Sequence, residues 1–191
     1  NYSIMPTVVL CCSAIQRGFV KGRQLLQNAV DLDYHSRMNA SNFYGVSGLK
    51  YSDCVSACAS MIERLPLTVL FDYAAAFPSV AHAWLHAVVK AIRAPRGVCN
   101  AIKSLYEGHI GVACVGGVFQ TLFQVTCGVL QGCPLSGTLF LLAIDPLLSQ
   151  FEWHILSPGL GAVYACADDV GAALRELKSL RILHGLFSRY R

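Results

Sequence analysis

The chain has 191 residues, 54% of them hydrophobic and 14% charged, and a formal net charge of +4. This length predicts one domain, and the apolar content excludes a disordered or low-complexity chain, because such chains lack the apolar surface that offsets the entropy of ordering. Basic residues outnumber acidic ones in residues 1–50 and 171–191, whereas acidic residues predominate between them, which suits a protein that holds a polyanion beside a cation. Ordinary solvated faces explain the same distribution equally well.

The sequence predicts neither a membrane span nor a secretory leader. A spanning helix needs roughly 18 consecutive apolar residues, and the apolar run from Thr138 to Ile144 is followed by Asp145. The N-terminus has neither an initiating Met nor a basic start before an apolar run, so we expect a segment of a longer protein. The nine cysteines are an odd set without a CxxC pair, which predicts reduced and mostly buried thiols in an intracellular compartment.

Two helices and a strand are predicted in the first part of the chain. Apolar spacing favours a helix over residues 22–38, which the polar turn 39–42 ends. A second helix over residues 47–64 stops before Pro66. The β-branched and aromatic run Leu67–Phe71 then predicts a short buried strand.

The middle of the chain alternates helices with short strands. Two helices are expected over residues 81–94, with Ser79 as N-cap, and over residues 97–107, ended by Gly108. A hairpin is expected from strands 112–115 and 118–122 around Gly116-Gly117, with a separate strand over residues 123–126.

The last third of the chain predicts a long helix, a hairpin and a final helix. The long helix covers residues 134–151, with Pro134 in its first turn. The hairpin joins residues 161–167 and 170–174 with Asp168-Asp169 at its tip, and leucines between 177 and 186 form a helical stripe. Strands and helices without a strict βαβ alternation predict the α+β class.

Three acids carry the strongest chemical signal. Asp72 follows an apolar strand, and Asp168-Asp169 join two others. Carboxylates flanked by core-like sequence are paired, hydrogen-bonded or metal-bound, because an isolated buried charge is very costly. Oxygen ligands without a neighbouring His favour Mg²⁺ or Mn²⁺ over zinc. Asp is also a favoured turn residue, so a plain hairpin turn at Asp168-Asp169 is the alternative.

Four sequence segments, one upstream of these acids and three around them, carry recognisable motifs. They are QRGFVKGR at 16–23, FDYAAAFPSV at 71–80, GVLQGCPLS at 128–136 and ACADDV at 165–170. The last three resemble the first, second and third catalytic motifs of reverse transcriptases, the third being the Ala-Asp-Asp signature. The first resembles a fingers motif shared by non-LTR (LINE-type) retrotransposon and group II intron enzymes. The ordered set is far more specific than any single motif.

The resemblance implies a right-hand polymerase fold in which an antiparallel palm sheet carries the catalytic carboxylates and packs on helices. Residues 1–66 are expected to be partial fingers and residues 67–191 a palm that stops before the thumb. The implied activity is RNA-directed DNA synthesis with an RNA template, a DNA primer and dNTPs. The implied location is intracellular, and nuclear for a eukaryotic retroelement.

The resemblance also implies residue roles at the reaction centre. Asp72, Asp168 and Asp169 match the family's catalytic, metal-binding carboxylates, and two Mg²⁺ or Mn²⁺ ions serve an in-line displacement in such a site. Backbone amides from Tyr73 through Ala76 to Phe77 would face the phosphates.

Other motif positions match contacts to nucleotide and template. Phe77 matches an aromatic gate beside the sugar of the incoming nucleotide, with a core aromatic as the alternative. Gln131 and Gly132 match residues at the nascent base pair. Lys21 and Arg23 match basic fingers positions near template or phosphate, where a solvated face is an equal rival.

The sequence departs from the family pattern at three positions. Cys166 stands where the family has Tyr or Phe near the primer end, Leu130 stands at a place often basic, and Gly137 replaces a common proline. A degenerate copy that at most binds nucleic acid is therefore the main alternative function. An unrelated metal-dependent hydrolase is a weaker one, because it leaves the Gln131-Gly132 segment unexplained.

Overall fold

The structure is a computed structural model, and it describes residues 12–48 and 59–190. The elements, numbered in chain order, are α1 Leu26–Ser47, α2 Ala59–Ile62, β1 Leu67–Phe71, α3 Ala76–Ser79, α4 His82–Ala91, α5 Arg96–Tyr106, β2 Ile110–Val115, β3 Val118–Gln124, α6 Ser136–Phe151, β4 Gly161–Cys166, β5 Asp169–Leu174 and α7 Leu180–Ser188. A π-helical turn, Glu152–Leu156, extends α6, and a 3-10 turn, Leu177–Ser179, precedes α7.

The described residues form two compact units. One is Ala74–Ala143, and the other combines Cys12–Tyr73 with residues 144–190. The mixture of helices with antiparallel strands confirms the predicted α+β class.

A three-stranded antiparallel sheet forms the centre of the second unit, with strand order β1-β5-β4. β1 occupies the predicted Leu67–Phe71 and pairs with β5 from Leu67 opposite Leu174 to Phe71 opposite Val170. β4 and β5 form the predicted hairpin, in which Cys166 pairs with Asp169. The end of β1 and the tip of the hairpin therefore lie at the same edge of the sheet.

Aromatic rings pack α6 and α7 against this sheet. The Phe187 ring lies 4.6 Å from Phe71 and 5.1 Å from Phe151, measured between ring centroids. Leu183 and Leu186 of the predicted leucine stripe are buried. Burial of these side chains supplies the hydrophobic free energy that holds the sheet in place.

Helix α1 runs through the polar segment that was expected to end it. Its last helical residue is Ser47, and Gly48 closes it in a left-handed conformation. The Asn39 side chain donates a hydrogen bond to the Ala173 carbonyl of β5, 3.2 Å away. Asn39 is thus bonded to the sheet rather than to its own backbone, which is why its usual preference for a turn does not prevail here. The predicted boundaries of 22 and 38 are both wrong.

The predicted helix over residues 47–64 is described in part. Its turn Ala59–Ile62 is helical. Residues 49–58 lie outside the described residues.

A glycine hairpin and two helices make up most of the first unit. Gly116 and Gly117 have positive φ values of 60° and 83°, as a tight two-residue turn requires. β3 continues to Gln124 because Phe123 still pairs with Gly111 beyond a bulge, so the separate strand predicted over residues 123–126 is wrong.

Two predicted helix starts also differ from the structure. The Ser79 hydroxyl donates to the Ala75 carbonyl and does not cap α4, whose N-cap is Ala81. Pro134 lies before α6, which starts at Ser136. The left-handed Gly108 beyond α5 agrees with the prediction.

The sequence predicts that no apolar stretch is long enough for a membrane span. The helical segment Ser136–Leu156 differs from this prediction by length and composition. It has 21 residues, and within the described part of the chain it alone reaches the length and apolar composition of a span. Asp145 lies within the helix and does not end it. Of its most apolar window, 56% is buried inside the protein, as in the core helix of a globular domain.

We predict that Phe151→Ala lowers the free energy of unfolding by about 3–5 kcal/mol, because Phe151 is fully buried and its removal leaves a cavity beside Phe187. Urea denaturation followed by circular dichroism measures the change. The control is Phe119→Ala, since Phe119 is 75% exposed on β3; it should change stability by less than about 1 kcal/mol. Equal losses in the two variants would contradict the assigned core.

Candidate active site

The pairing of β1 with β5 brings the three predicted acids to one edge of the sheet. Phe71 lies opposite Val170, so the next residue of the chain, Asp72, comes opposite Asp169. Ala167 and Asp168 form the two-residue connection between β4 and β5. Residues separated by about a hundred positions in the sequence thus meet through strand pairing.

The three carboxylates are accessible at this edge. Asp72 and Asp169 are exposed, and Asp168 is half-buried. Within residues 12–48 and 59–190, no hydrogen bond or ion pair engages any of the three. Their oxygens are therefore open to a ligand.

The donor set fits a hard divalent cation. Carboxylate oxygens are the ligands that Mg²⁺ and Mn²⁺ prefer. Asp72 directly follows β1, and Asp169 begins the neighbouring strand β5. Among the described residues, however, no group of three or more His, Cys, Asp or Glu side chains is gathered closely enough to enclose one ion. The acids share an edge without forming a closed cluster.

A groove of about 270 Å³ opens beside these acids, on the face of the sheet nearest α1. Asp72 and Asp169 line its end, with Cys166 and Tyr164 from β4 and Asn28 from α1. The Asn28 side chain donates to the Ala165 carbonyl of β4, 2.9 Å away, and so fixes the start of α1 to the hairpin.

Cys166 is a neutral thiol beside two carboxylates. Burial raises the pKa of its thiol, and the negative charges of Asp169 and Asp168 raise it further. The side chain is small and half-buried.

Tyr73, next to Asp72, packs into the aromatic cluster of α7. Its ring lies 5.6 Å from Phe187, and burial raises the pKa of its hydroxyl. That hydroxyl is buried and has no hydrogen-bond partner within the part of the chain described. The side chain anchors the residue, so only its backbone is available to a ligand.

Phe77 belongs to the short helix α3, which starts at the half-buried Ala76 after a left-handed Ala75 with φ of 54°. The Phe77 ring stacks on Phe140 of α6, with centroids 4.3 Å apart and planes inclined by 13°. One face of the ring is thus a packing contact. Phe77 remains half-buried overall, so part of the ring is still accessible.

Gln131 and Gly132 are exposed in the turn before α6. Gly132 has φ of +82°, and nothing lies within 4 Å of the position that a Cβ would take. Leu130, just before them, donates its N–H to the Tyr106 hydroxyl and accepts a hydrogen bond from the Ser136 hydroxyl. The flanking contacts hold the turn while its tip stays open.

The two basic candidates of the first motif differ in environment. Lys21 is exposed, and no described residue pairs with it. The Arg23 guanidinium donates to the backbone carbonyls of Ser13, Gln16 and Cys12. Lys21 is free for a phosphate, whereas Arg23 organises its own loop.

Gln16 and Gly18 make contacts at the hairpin tip that the sequence analysis did not assign. Gln16 is 1% exposed, and its side chain bonds to the backbone of Ala167. Gly18 lies against the same residue: a Cβ there would sit 2.3 Å from the Ala167 nitrogen. An uncharged Gln at the start of this motif carries no sequence signal for such a tertiary contact.

The segment before Gln16 is held by two acids of α6 and its extension. Asp145 accepts a hydrogen bond from the Ser13 N–H at 2.6 Å, and Glu152 accepts from the Ser13 hydroxyl at 2.6 Å and the Ala14 N–H at 2.9 Å. Burial raises the pKa of Asp145, the Glu152 charge raises it further, and the Ser13 hydrogen bond opposes the rise.

The amino-acid sequence of residues 4–187 matches the profile of the family described as reverse transcriptase (RNA-dependent DNA polymerase). Because the match covers nearly the whole chain, the protein belongs to the reverse transcriptase family. The family resemblance carried by the four motifs is confirmed.

One curated relative of this chain is a retrotransposon protein. The retrovirus-related Pol polyprotein from type-2 retrotransposable element R2DM of Drosophila melanogaster is 38% identical over 116 residues. The match covers 59% of this chain and 11% of that polyprotein, so the chain spans only a small part of its relative. R2 is a non-LTR element, in agreement with the prediction from the motifs.

Solved telomerase structures share the fold. Apo telomerase from Candida tropicalis, truncated from its C-terminal domain, matches with a TM-score of 0.65 at 11% identity over 98% of this chain and 36% of that chain. Telomerase from Candida albicans, in complex with the TWJ fragment of telomeric RNA, matches with a TM-score of 0.64 at 10% identity over 97% and 32%. The predicted polymerase fold is confirmed.

We predict that Asp145→Asn removes a pH-dependent loss of stability. A carboxyl whose folded-state pKa is raised stabilises the fold most when protonated, and this contribution is lost as the pH rises through the folded-state pKa. The free energy of unfolding of the wild type should therefore fall, relative to Asp145→Asn, as the pH rises above the ordinary Asp pKa of about 4. The Asn oxygen still accepts the Ser13 N–H. Urea denaturation at a series of pH values measures the difference, and parallel curves would contradict it.

Proposed function

We propose that this chain is the catalytic part of a retrotransposon-type RNA-directed DNA polymerase that transfers a nucleotide from a dNTP to a primer 3′-hydroxyl on an RNA template. The supporting observation is the strand register that places Asp72 opposite Asp169, with Asp168 in the adjoining turn. Membership of the reverse transcriptase family supports the assignment of this edge as the reaction centre. Residues 1–66 then act as partial fingers and residues 67–191 as the palm.

Asp72, Asp168 and Asp169 are the residues that would hold two Mg²⁺ or Mn²⁺ ions. Bound there, the ions supply charge neutralisation at the attacking and leaving oxygens of an in-line displacement. The contribution of the chain is positional: Asp72 directly follows β1, Asp169 begins the neighbouring strand β5, and Asp168 lies in the turn before it.

We assign the binding of nucleotide and nucleic acid to the other motif residues. Backbone amides from Tyr73 to Phe77 face the phosphates, and the accessible part of Phe77 lies beside the sugar. The exposed Gln131 and Gly132 contact the nascent base pair, and the unpaired Lys21 contacts a phosphate of the template. Cys166 lies near the primer end.

A catalytically inactive copy that only binds nucleic acid is the second candidate. Two observations favour it: Cys166 is a small, neutral side chain at the position of the family's aromatic, and Arg23 is occupied by backbone carbonyls. Both functions use the same surface. Only an activity measurement separates them.

We predict that the wild-type chain extends a DNA primer on an RNA template with Mg²⁺ or Mn²⁺, and that Asp168→Asn lowers the rate at least about a hundredfold, because a carboxylate that compensates cation charge is lost. Single-nucleotide extension measures the rate. The control is Asp33→Asn, since Asp33 is an exposed acid of α1 that forms an ion pair with Arg37; it should leave the rate unchanged. No extension by either the wild type or Asp168→Asn supports the inactive copy.

We predict that Phe77→Val lowers the preference for dNTP over NTP at least about tenfold in kcat/KM, because the ring no longer excludes a ribose 2′-hydroxyl. Steady-state incorporation of matched dNTP and NTP measures the ratio. Phe140→Leu is the control, since it disturbs the same ring stack from the side of α6. If both variants slow dNTP and NTP incorporation equally, Phe77 is a packing residue only.

A further inference from the structure

Gln16 is buried directly behind the tip of the hairpin that carries two of the acids. Its side-chain oxygen accepts hydrogen bonds from the N–H groups of Gly18, at 2.8 Å, and Ala167, at 2.9 Å. Its side-chain nitrogen donates to the Ala167 carbonyl at 3.2 Å. One amide group therefore binds both backbone polar groups of the residue that precedes Asp168.

Ala167 is in a conformation that needs such support. Its φ of 56° is in the left-handed region, which a residue with a Cβ seldom occupies without compensating contacts. The Gln16 hydrogen bonds act on both sides of the Ala167 Cα, so they favour this conformation over alternatives. The direction in which the chain leaves Ala167 determines where Asp168 and Asp169 lie.

The backbone around Gln16 is fixed along the edge of β4. The Ala165 N–H donates to the Ile15 carbonyl at 2.9 Å, and the Arg17 N–H donates to the Ala165 carbonyl at 2.9 Å. Gly18 lies so close to the Ala167 backbone that residue 18 has no room for a side chain. The segment thus forms a parallel β-bridge with β4, between Gln16 and Ala165.

Contacts on the other side of the segment prevent it from shifting. Asp145 and Glu152 accept the N–H groups of Ser13 and Ala14, and Arg23 donates to the carbonyls of Ser13 and Gln16. The position of the Gln16 side chain is therefore set by helix α6 and its extension. These hydrogen bonds connect helix α6 and its extension to the turn at Asp168.

We propose that Gln16 is a positioning residue that fixes the Ala167–Asp168 turn and so places the carboxylates of Asp168 and Asp169 for catalysis. This inference rests on the function proposed above. Gln16 itself does not line the groove beside the acids. Its effect on the reaction acts through Ala167.

The test compares Gln16→Met with a matched control in the full chain. Gln16→Met keeps the length of the side chain and removes all three hydrogen bonds. The control is Asn39→Leu. This change removes the hydrogen bond that the Asn39 side-chain amide donates to the Ala173 carbonyl, near the far end of β5. Urea denaturation verifies that both variants fold.

Two measurements are made on each variant. For Gln16→Met we expect kcat for single-nucleotide addition to fall about ten- to a hundredfold, as for loss of an orienting contact behind metal-binding side chains. The KM for dNTP should be unchanged. Mn²⁺ binding, followed by electron paramagnetic resonance without nucleic acid, should weaken by a similar factor. Asn39→Leu should change neither quantity.

Gln16→Glu provides a second variant with the shape of the side chain preserved. The introduced carboxyl can donate to the Ala167 carbonyl only when it is protonated. We therefore expect the kcat of the folded variant, relative to the wild type, to rise as the pH is lowered, whereas a purely structural role predicts that only its free energy of unfolding changes with pH. This variant also tests the proposal if Gln16→Met does not fold.

The outcomes separate this inference from the proposed function. If the wild type extends primers and Gln16→Met equals Asn39→Leu in both measurements, the positioning role is wrong and the polymerase function stands. If the wild type does not extend primers, the polymerase function fails. The Mn²⁺ measurement then decides alone: weaker binding in Gln16→Met supports the positioning role, and equal binding overturns it.

Discussion

The antiparallel register between β1 and β5 is the constraint on which the candidate site depends. Because Phe71 pairs with Val170, Asp72 comes opposite Asp169. A slip of one residue would send the side chains of β1 to the opposite face of the sheet. The Phe71 ring, held against Phe187, would then leave the core, so hydrophobic packing and the placement of the acids are determined by the same pairing.

The hairpin tip is held by polar contacts, whereas β1 is held by apolar packing. Ala167 adopts a left-handed conformation between two strands, and the buried Gln16 side chain meets its N–H and carbonyl. Buried polar groups of this kind are stabilising only when all their hydrogen bonds are made. The Gln16 side chain makes three such bonds, two to Ala167 and one to the backbone of Gly18. Apolar packing thus places β1, and a hydrogen-bonded network places the turn.

Sequence patterns predicted those features that depend on local chemistry. The strand Leu67–Phe71, the glycine turn at 116–117 and the hairpin carrying Asp168 follow from β-branched content, turn residues and apolar runs. Helix ends were predicted poorly where a tertiary contact overrides a local preference, as Asn39 shows by bonding to Ala173. The contact of Gln16 with Ala167 links residues far apart in sequence and leaves no periodic pattern. The family motif contains Gln16, but the role of its side chain emerges only from the fold.

The environment of Cys166 links the sheet to the chemistry proposed for it. A thiol between carboxylates and an apolar strand stays neutral, since burial and the charges of Asp168 and Asp169 both raise its pKa. A neutral group adds no charge to an edge that already carries three carboxylates and draws none of their oxygens into an ion pair. Their negative potential is therefore left to attract cations. The substitution of an aromatic by Cys at this position removes ring packing and preserves the electrostatics that a two-cation site requires.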